Sequence, residues 1–138
     1  MKKPRTLGKT DKNMDNYTIG QIGEKVAKEY LIKKGYKILA TNYVYYLRDG
    51  KKLGEIDIVA KDKKEIVFVE VKSQDNLYFK NFDPADKINP KKLQTIKRVG
   101  EIWLRKNKFQ EKVWRIDVLS VFLNFQTRKA RIYHFRNV

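Results

Sequence analysis

Residues 54–72 read GEIDIVAKDKKEIVFVEVK, and this stretch predicts two paired β-strands. Two apolar runs rich in β-branched residues, at 56–60 and 66–71, flank a polar segment in which residues 62–64 form the turn. The second run is almost continuously apolar, as in a strand that is covered on both faces. We therefore expect a hairpin whose second strand lies in the middle of a sheet.

Three charged side chains interrupt these apolar strands: Asp57, Glu70 and Lys72. Alternation along the second strand predicts that Glu70 and Lys72 share one face, about 7 Å apart, opposite the three valines of 67–71. In the first strand, the same rule predicts one face with Ile56, Ile58 and Ala60 and another with Glu55, Asp57 and Val59. If the hairpin forms, the two carboxylates and the lysine converge.

This grouping is typical of a site for a hard divalent cation. Mg²⁺ takes one or two carboxylates, keeps several waters and takes a remaining oxygen from a substrate phosphate. Asp57 and Glu70 would hold the cation, the Val71 carbonyl would complete the protein ligands, and Lys72 would orient a water or stabilise the developing oxyanion. The alternative is a buried ion pair kept for strand register, although desolvation makes such pairs costly.

The rest of the chain predicts one domain. Residues 1–14 are expected to form a mobile basic tail, and residues 15–138 a single domain. Periodicity and turn signals predict the following elements: a helix over 15–34 that ends at Gly35, strands over 36–47, 55–60 and 65–72, a loop over 73–87, a helix from Asn89-Pro90 to Asn107, and strands over 113–123 and 129–135. The order α-β-β-β-α-β-β predicts an α/β fold in which helices flank a mixed sheet.

Composition restricts the possible chemistry and partners. The chain of 138 residues has 32 Lys and Arg against 16 Asp and Glu, a net charge of +16, which favours a polyanionic partner and nucleic acid first. With no cysteine and one histidine, disulfides, thiolate catalysis and cysteine- or histidine-rich metal sites are excluded. No membrane-spanning run or secretory signal is recognisable, so we expect no membrane partner and a cytoplasmic location.

The segments GEIDIVA (54–60) and VFVEVK (67–72) resemble the YraN family of bacterial proteins, whose hallmark is GEIDLIA followed by VFVEVK. The resemblance covers about residues 17–135 and includes Gly23-Glu24 in the first helix and Lys92 at the start of the second. It implies the restriction-endonuclease-like fold of the PD-(D/E)xK nuclease superfamily, to which archaeal Holliday junction resolvases also belong.

The resemblance also implies roles for individual residues. Asp57 and Glu70 match the family's metal carboxylates, Lys72 its catalytic lysine and Glu24 its first-helix glutamate, with Mg²⁺ or Mn²⁺ as the expected cofactor. The chain departs from the pattern at three places: Ile56 replaces the superfamily's proline, and Val44 and Gln74 stand where relatives usually carry arginine.

Four basic residues of the second helix, Lys91, Lys92, Lys97 and Arg98, are the predicted nucleic-acid contacts, the alternative being a solvated helix face. The leading hypothesis is a metal-dependent endodeoxyribonuclease that acts on DNA in preference to RNA, with branched or damaged DNA as candidate substrates. Cleavage of a four-way junction would require a homodimer. The alternatives are a non-catalytic DNA- or RNA-binding module with the same fold, and an interaction protein whose basic face binds an acidic protein.

Overall fold

The computed structural model describes residues 16–83, 88–109 and 112–138, which form a five-stranded sheet with one helix on each face. The predicted tail over 1–14 lies outside the described residues. In chain order the elements are α1 (Asn16–Lys33), β1 (Lys37–Tyr46), β2 (Lys52–Asp62), β3 (Glu65–Asp75), a 3₁₀ helix (Asn76–Asn81), α2 (Pro90–Lys106), β4 (Trp114–Asn124) and β5 (Lys129–Phe135). The α/β class and the order α-β-β-β-α-β-β are confirmed.

The sheet is mixed, with the strand order β1-β2-β3-β4-β5. Neighbouring strands are antiparallel except for β3 and β4, which are parallel because α2 carries the chain back across the sheet. The predicted β2–β3 hairpin is present, with Asp62 opposite Glu65 around the turn. As expected for its apolar sequence, β3 is the central strand.

Two apolar clusters hold the helices on the sheet. The α1 cluster contains Val26, Ala27, Leu31, Ile58, Ala60, Val67, Val69 and Leu119, and the α2 cluster contains Ile56, Val59, Ile66, Phe68, Ile96, Val99, Trp103 and Ile116. The predicted separation of Val67 and Val69 from Glu70 therefore holds. The predicted face of β2 is partly wrong, because Ile56 packs with Val59 rather than with Ile58 and Ala60. The alternation is interrupted between Ile56 and Ile58, where Asp57 lies.

Helix α2 begins and ends where the sequence predicts. The Asn89 side chain accepts a hydrogen bond of 2.7 Å from the Lys92 N–H, and Pro90 occupies the first turn, where a missing N–H costs nothing. Asn107 caps the other end. None of the described helices is long and apolar enough to cross a membrane.

The loop predicted over 73–87 is wrong in its first part. β3 continues to Asp75, whose side chain accepts from the Leu77 N–H and starts the 3₁₀ helix. Phe79 and Phe82 then pack on Phe122 and Tyr133, with ring centroids 4.9–5.9 Å apart. A helix this short has no periodicity that a sequence pattern could reveal. Aromatic residues that are distant in the sequence hold it in place.

Candidate functional site

Asp57 lies at a fork between β2 and β3. The ladder of paired residues ends at Ile58 opposite Val69, so Asp57 and Glu70 occupy the first positions beyond it. Here the Val71 N–H donates a hydrogen bond of 2.8 Å to Oδ2 of Asp57. A side-chain carboxylate therefore replaces the partner strand as the acceptor, and it holds the two strands together at the point where they separate.

Strand β1 is also irregular beside Asp57. The pairs Thr41–Ile58 and Tyr43–Ile56 put Asn42 across from Asp57, and Asn42 adopts a left-handed backbone with φ of 50°. Its side chain hydrogen-bonds Glu24 from α1. Asparagine tolerates this backbone conformation better than most residues. The site thus lies where the regular sheet is interrupted on both sides of β2.

The two central carboxyl groups are buried and share a hydrogen bond. Asp57 is 8% exposed and the Glu70 side chain 12%. Burial raises the pKa of both groups, and the neighbouring Asp57 raises the pKa of Glu70 further, to about 8. At neutral pH the pair therefore retains a proton, which Glu70 donates to Asp57. Among the residues that the structure describes, Glu70 Oε2 is a buried oxygen without a hydrogen-bond partner.

Two lysines accompany the carboxyl pair. Lys72 lies two residues after Glu70 on β3, so alternation puts both on the α2 side of the sheet. Lys92 reaches the site from the first turn of α2, and its Nζ lies 3.7 Å from Glu70 Oε2. This is an ion-pair distance that exceeds a hydrogen bond. Positive charge therefore borders the buried carboxylates on one side.

Glu24 approaches the pair from α1. The helix can come close because Gly23 has no side chain: a Cβ at that position would overlap with the side chain of Ser73 on β3. Burial raises the pKa of Glu24, as do the negative charges of Asp57 and Glu55. The structure thus brings Glu24 and Glu70 close to Asp57, and Lys72 follows Glu70 by two residues on β3.

The four predicted nucleic-acid contacts separate into two groups. Lys91, Lys97 and Arg98 line an open groove of about 370 Å³ between α2 and the start of β2. Lys92 instead turns to Glu70. The periodicity of the helix accounts for this split, because Lys92 shares a face with Ile96 and Val99, which pack on the sheet. The roles of all four residues remain predictions.

The donors at the site suit a hard cation that keeps part of its water shell. The carboxyl groups of Asp57 and Glu70 are adjacent, and Glu70 Oε2 has no hydrogen-bond partner that a cation would have to displace. Val71 contacts Asp57 through its N–H, and a ligand role for its carbonyl stays a prediction. Within residues 16–83, 88–109 and 112–138, no group of three or more His, Asp or Glu side chains is arranged to bind a metal.

Sequence reasoning missed two contributors to the site, Asn42 and Glu55. Glu55, which pairs with Lys52 at 2.7 Å, adds negative charge that raises the pKa of both Asp57 and Glu24. Its place immediately before Ile56-Asp57 is the only sequence signal. Asn42 could have been noticed as a residue that tolerates left-handed backbone within an aromatic strand.

Comparison with known proteins finds relatives over most of the chain. Residues 23–121 match the model of the uncharacterised protein family UPF0102. A UPF0102 protein of Clostridioides difficile is 41% identical over 124 residues, 90% of this chain and 98% of the relative. A second, from Caldanaerobacter subterraneus subsp. tengcongensis, is 37% identical over 113 residues, 82% of this chain and 86% of the relative. The chain therefore belongs to the UPF0102 family, which is the YraN family.

Proposed function

We propose that the protein is a divalent-metal-dependent endonuclease that hydrolyses phosphodiester bonds in DNA, in the cytoplasm. The observation that carries the proposal is the buried carboxyl pair Asp57 and Glu70 at the fork between β2 and β3, on the strand that also carries Lys72. Two desolvated carboxyl groups in contact destabilise a fold unless a proton or a cation lies between them. A cation at this position would replace the shared proton.

Mg²⁺ or Mn²⁺ fits these donors. Asp57, Glu70 and the Val71 carbonyl would hold the ion. When bound, the ion would supply Lewis acidity at the phosphate and lower the pKa of water nearby. The Val71 N–H fixes one Asp57 oxygen at 2.8 Å, so the orientation of this carboxylate does not depend on the ion. A preorganised carboxylate loses little entropy on binding.

Three other side chains near the pair have proposed roles in the reaction. Lys72 would orient the attacking water or stabilise the negative charge that develops on the phosphate oxygens. Lys92 lies beside the carboxyl pair in the resting protein, and it would move to a substrate phosphate, because its 3.7 Å contact with Glu70 is a loose one. Glu24, whose pKa is raised by burial and by the charge of Asp57, would add a further carboxyl group beside Asp57.

DNA is the proposed substrate because of charge. Each phosphate that a lysine or arginine neutralises releases counterions, and the net charge of +16 provides a strong attraction. The groove with Lys91, Lys97 and Arg98 extends this attraction beyond the carboxyl pair. A branched DNA with two equivalent strands would require two copies of the chain, so a homodimer belongs to the proposal for that substrate.

One observation favours a second candidate, a nucleic-acid-binding module without cleavage activity. The carboxyl pair has partners within the chain, since Asp57 accepts from Val71 and Glu70 lies near Lys92. Such a cluster can serve to hold strand register. The two candidates differ in whether the pair binds a cation.

The test is cleavage of labelled duplex, single-stranded, flap and four-way-junction DNA with Mg²⁺ or Mn²⁺. Asp57→Asn keeps an acceptor for the Val71 N–H, and Lys72→Gln keeps most of the side-chain volume. We expect each to lower the cleavage rate by about 100-fold or more. Asp49→Asn and Lys28→Gln change exposed residues away from the pair and should cleave normally.

Wild-type protein that binds every DNA but cleaves none would overturn the endonuclease and support the binding module. Cleavage that persists in Asp57→Asn would place the chemistry at another site. Circular dichroism of each variant verifies that loss of activity does not reflect loss of the fold.

A further inference from the structure

A second cleft, of about 790 Å³, lies at the far end of α1 from the carboxyl pair. It is lined by Tyr30 and Lys34 of α1 and its C-terminal turn, by the β2–β3 turn and by His134 on β5. Asp62, on its wall, is five residues beyond Asp57 along β2, roughly 16 Å at 3.3 Å per residue. The cleft is therefore a separate feature.

The inner wall of the cleft is aromatic and fixed in position. His134 Nε2 lies 2.7 Å from Oδ2 of Asp117, which is fully buried, and His134 Nδ1 lies 3.1 Å from the Tyr30 hydroxyl. Burial alone would raise the pKa of Asp117, but hydrogen bonds from His134 and Arg115 lower it. The ionised carboxylate can only accept, so Nε2 donates to it, and Nδ1 shares a second hydrogen bond with the Tyr30 hydroxyl.

Two tyrosine rings lie beside His134 on the inner wall of the cleft. The centroids of Tyr30 and Tyr36 lie 5.7 and 6.1 Å from that of His134. The Tyr36 hydroxyl accepts a hydrogen bond of 2.8 Å from buried Arg115. The polar atoms of the wall thus satisfy one another, and the Tyr30 and Tyr36 rings are inclined to the His134 ring by 73° and 58°. The Lys34 Nζ lies 5.8 Å from the centroid of the Tyr30 ring. A planar ligand could stack on one of these rings, close to the lysine.

The acidic side chains of the cleft are already neutralised. Arg115, 7% exposed, donates to Glu65 at 2.8 Å and to Asp62 at 3.1 Å, and Arg136 donates to Asp62 at 3.3 Å. The cations are Lys34, Lys63, Lys64, Arg115 and Arg136, and the carboxylates are Asp62, Glu65 and Asp117. Five cations against three carboxylates leave an excess of two positive charges, at the lysine rim.

We propose that this cleft binds the phosphate monoester of a nucleotide, with the base against Tyr30 and His134 and the phosphate at Lys34, Lys63 and Lys64. Lysine is a compact cation that suits a phosphate dianion, whereas both arginines here are paired with carboxylates. The volume falls in the range of small-ligand sites. Two sources share this chemistry: a free mononucleotide and the 5′-phosphate end of a nucleic-acid strand.

His134 provides a direct readout, because it is the single histidine of the sequence. In protein labelled at the histidine ring and kept in chelator, adenosine 5′-monophosphate should shift the His134 resonances in a saturable way, and adenosine should bind at least about tenfold more weakly. If the natural source is a strand end, a short 5′-phosphorylated oligonucleotide binds more tightly than the mononucleotide. If it is a free nucleotide, the oligonucleotide has no advantage.

Charge reversal at the rim tests the location. Lys34→Glu with Lys64→Glu should weaken binding of the mononucleotide by about tenfold or more, whereas the matched control, Lys28→Glu with Lys51→Glu, should leave it unchanged. An equal loss in both double variants, or binding that leaves His134 unshifted, would overturn the site. Asp57→Asn should bind the mononucleotide normally, so this proposal can fail or stand independently of the endonuclease.

Discussion

At the scale of single residues, the carboxyl pair lowers the stability of the fold. Asp57 and Glu70 are both removed from water, and their negative charges repel each other when both are ionised. Folding of the protein without a cation is therefore coupled to retention of a proton. Because Glu70 has a pKa of about 8, this coupling falls in a pH range where it can be measured.

We predict that Glu70 makes the protein less stable as pH rises from about 5 to about 8. Unfolded, Glu70 loses its proton near its ordinary pKa of 4.5; folded, it keeps the proton until about 8. The folded state binds the extra proton between these values, so the free energy of unfolding falls across this window. In urea denaturation with chelator, Glu70→Gln should be more stable than wild type at about pH 8 by roughly 2–4 kcal/mol.

The exposed α2 residue Glu101 supplies the control, since Glu101→Gln should have no such effect. Added Mg²⁺ should stabilise wild type at about pH 8 and leave Glu70→Gln unchanged, because only a ligand that binds the folded state shifts the equilibrium. If Glu70→Gln is instead the less stable protein at this pH, Glu70 is ionised and its contact with Lys92 is a structural ion pair.

At the scale of elements, the position of α1 depends on a single glycine. Gly20 and Gly23 both lie inside the helix, where glycine costs up to about 1 kcal/mol relative to alanine. A Cβ at Gly20 would meet open space, whereas one at Gly23 would overlap with Ser73. Only Gly23 is therefore required for close packing, and it sets the distance between Glu24 and the sheet.

Gly20→Ala and Gly23→Ala should consequently have opposite effects on stability. We expect Gly20→Ala to raise the free energy of unfolding by about 0.5–1 kcal/mol through better helix propensity. Gly23→Ala should lower it by about 1–3 kcal/mol through overpacking, and it should also reduce cleavage by moving Glu24. Urea denaturation of both variants, three residues apart on one helix, measures the difference.

A double-mutant cycle identifies the cause. Ser73→Gly removes the side chain that the new methyl group would meet, so it should restore much of the stability that Gly23→Ala loses. Independent, additive effects of the two substitutions would show that α1 and β3 are not in contact at this point.

Elements whose causes are local could be predicted from the sequence. Asn89-Pro90 carries its own capping signal, and Gly35, with φ of 94°, ends the α1 segment as its residue type suggests. The apolar run of β3 likewise identified the central strand. The extension of β3 to Asp75 and the 3₁₀ helix after it depend on distant aromatic partners, which a local pattern does not contain.

For the site, the alternation of side chains along a strand predicted that Glu70 and Lys72 share one face. It also predicted that Asp57 can lie across the hairpin from them. It failed at Ile56 because it assumes an unbroken strand, whereas β2 is flanked at Asp57 by left-handed Asn42 and by the end of the β3 ladder. Arg115 forms a salt bridge of 2.9 Å with Asp117, two residues further along β4. The further partners of this pair come from β2, β3 and β5 and could not be inferred from spacing.

At the scale of the whole molecule, folding makes the surface more basic than the composition suggests. Six of the 16 acidic residues form two polar networks and are buried or half-buried: Glu24, Asp57 and Glu70 around the carboxyl pair, and Asp62, Glu65 and Asp117 around Arg115. Most lysines among the residues that the structure describes are exposed. The two networks thus take up negative charge that would otherwise offset the basic groove beside α2.

We predict that this groove contributes about two phosphate contacts to DNA binding through Lys97 and Arg98, which are both exposed and line it. The slope of log affinity against log salt for duplex DNA should become shallower by about 1.8 in Lys97→Gln with Arg98→Gln, since each lost contact removes about 0.9. Fluorescence anisotropy in chelator, over a series of KCl concentrations, measures this slope.

The control, Lys28→Gln with Lys33→Gln, removes the same charge from α1 on the opposite face of the sheet and should keep the wild-type slope. Equal slopes for both double variants and the wild type would place the DNA on another surface, and a wild-type slope near zero would exclude nucleic acid as the polyanion that the charge attracts.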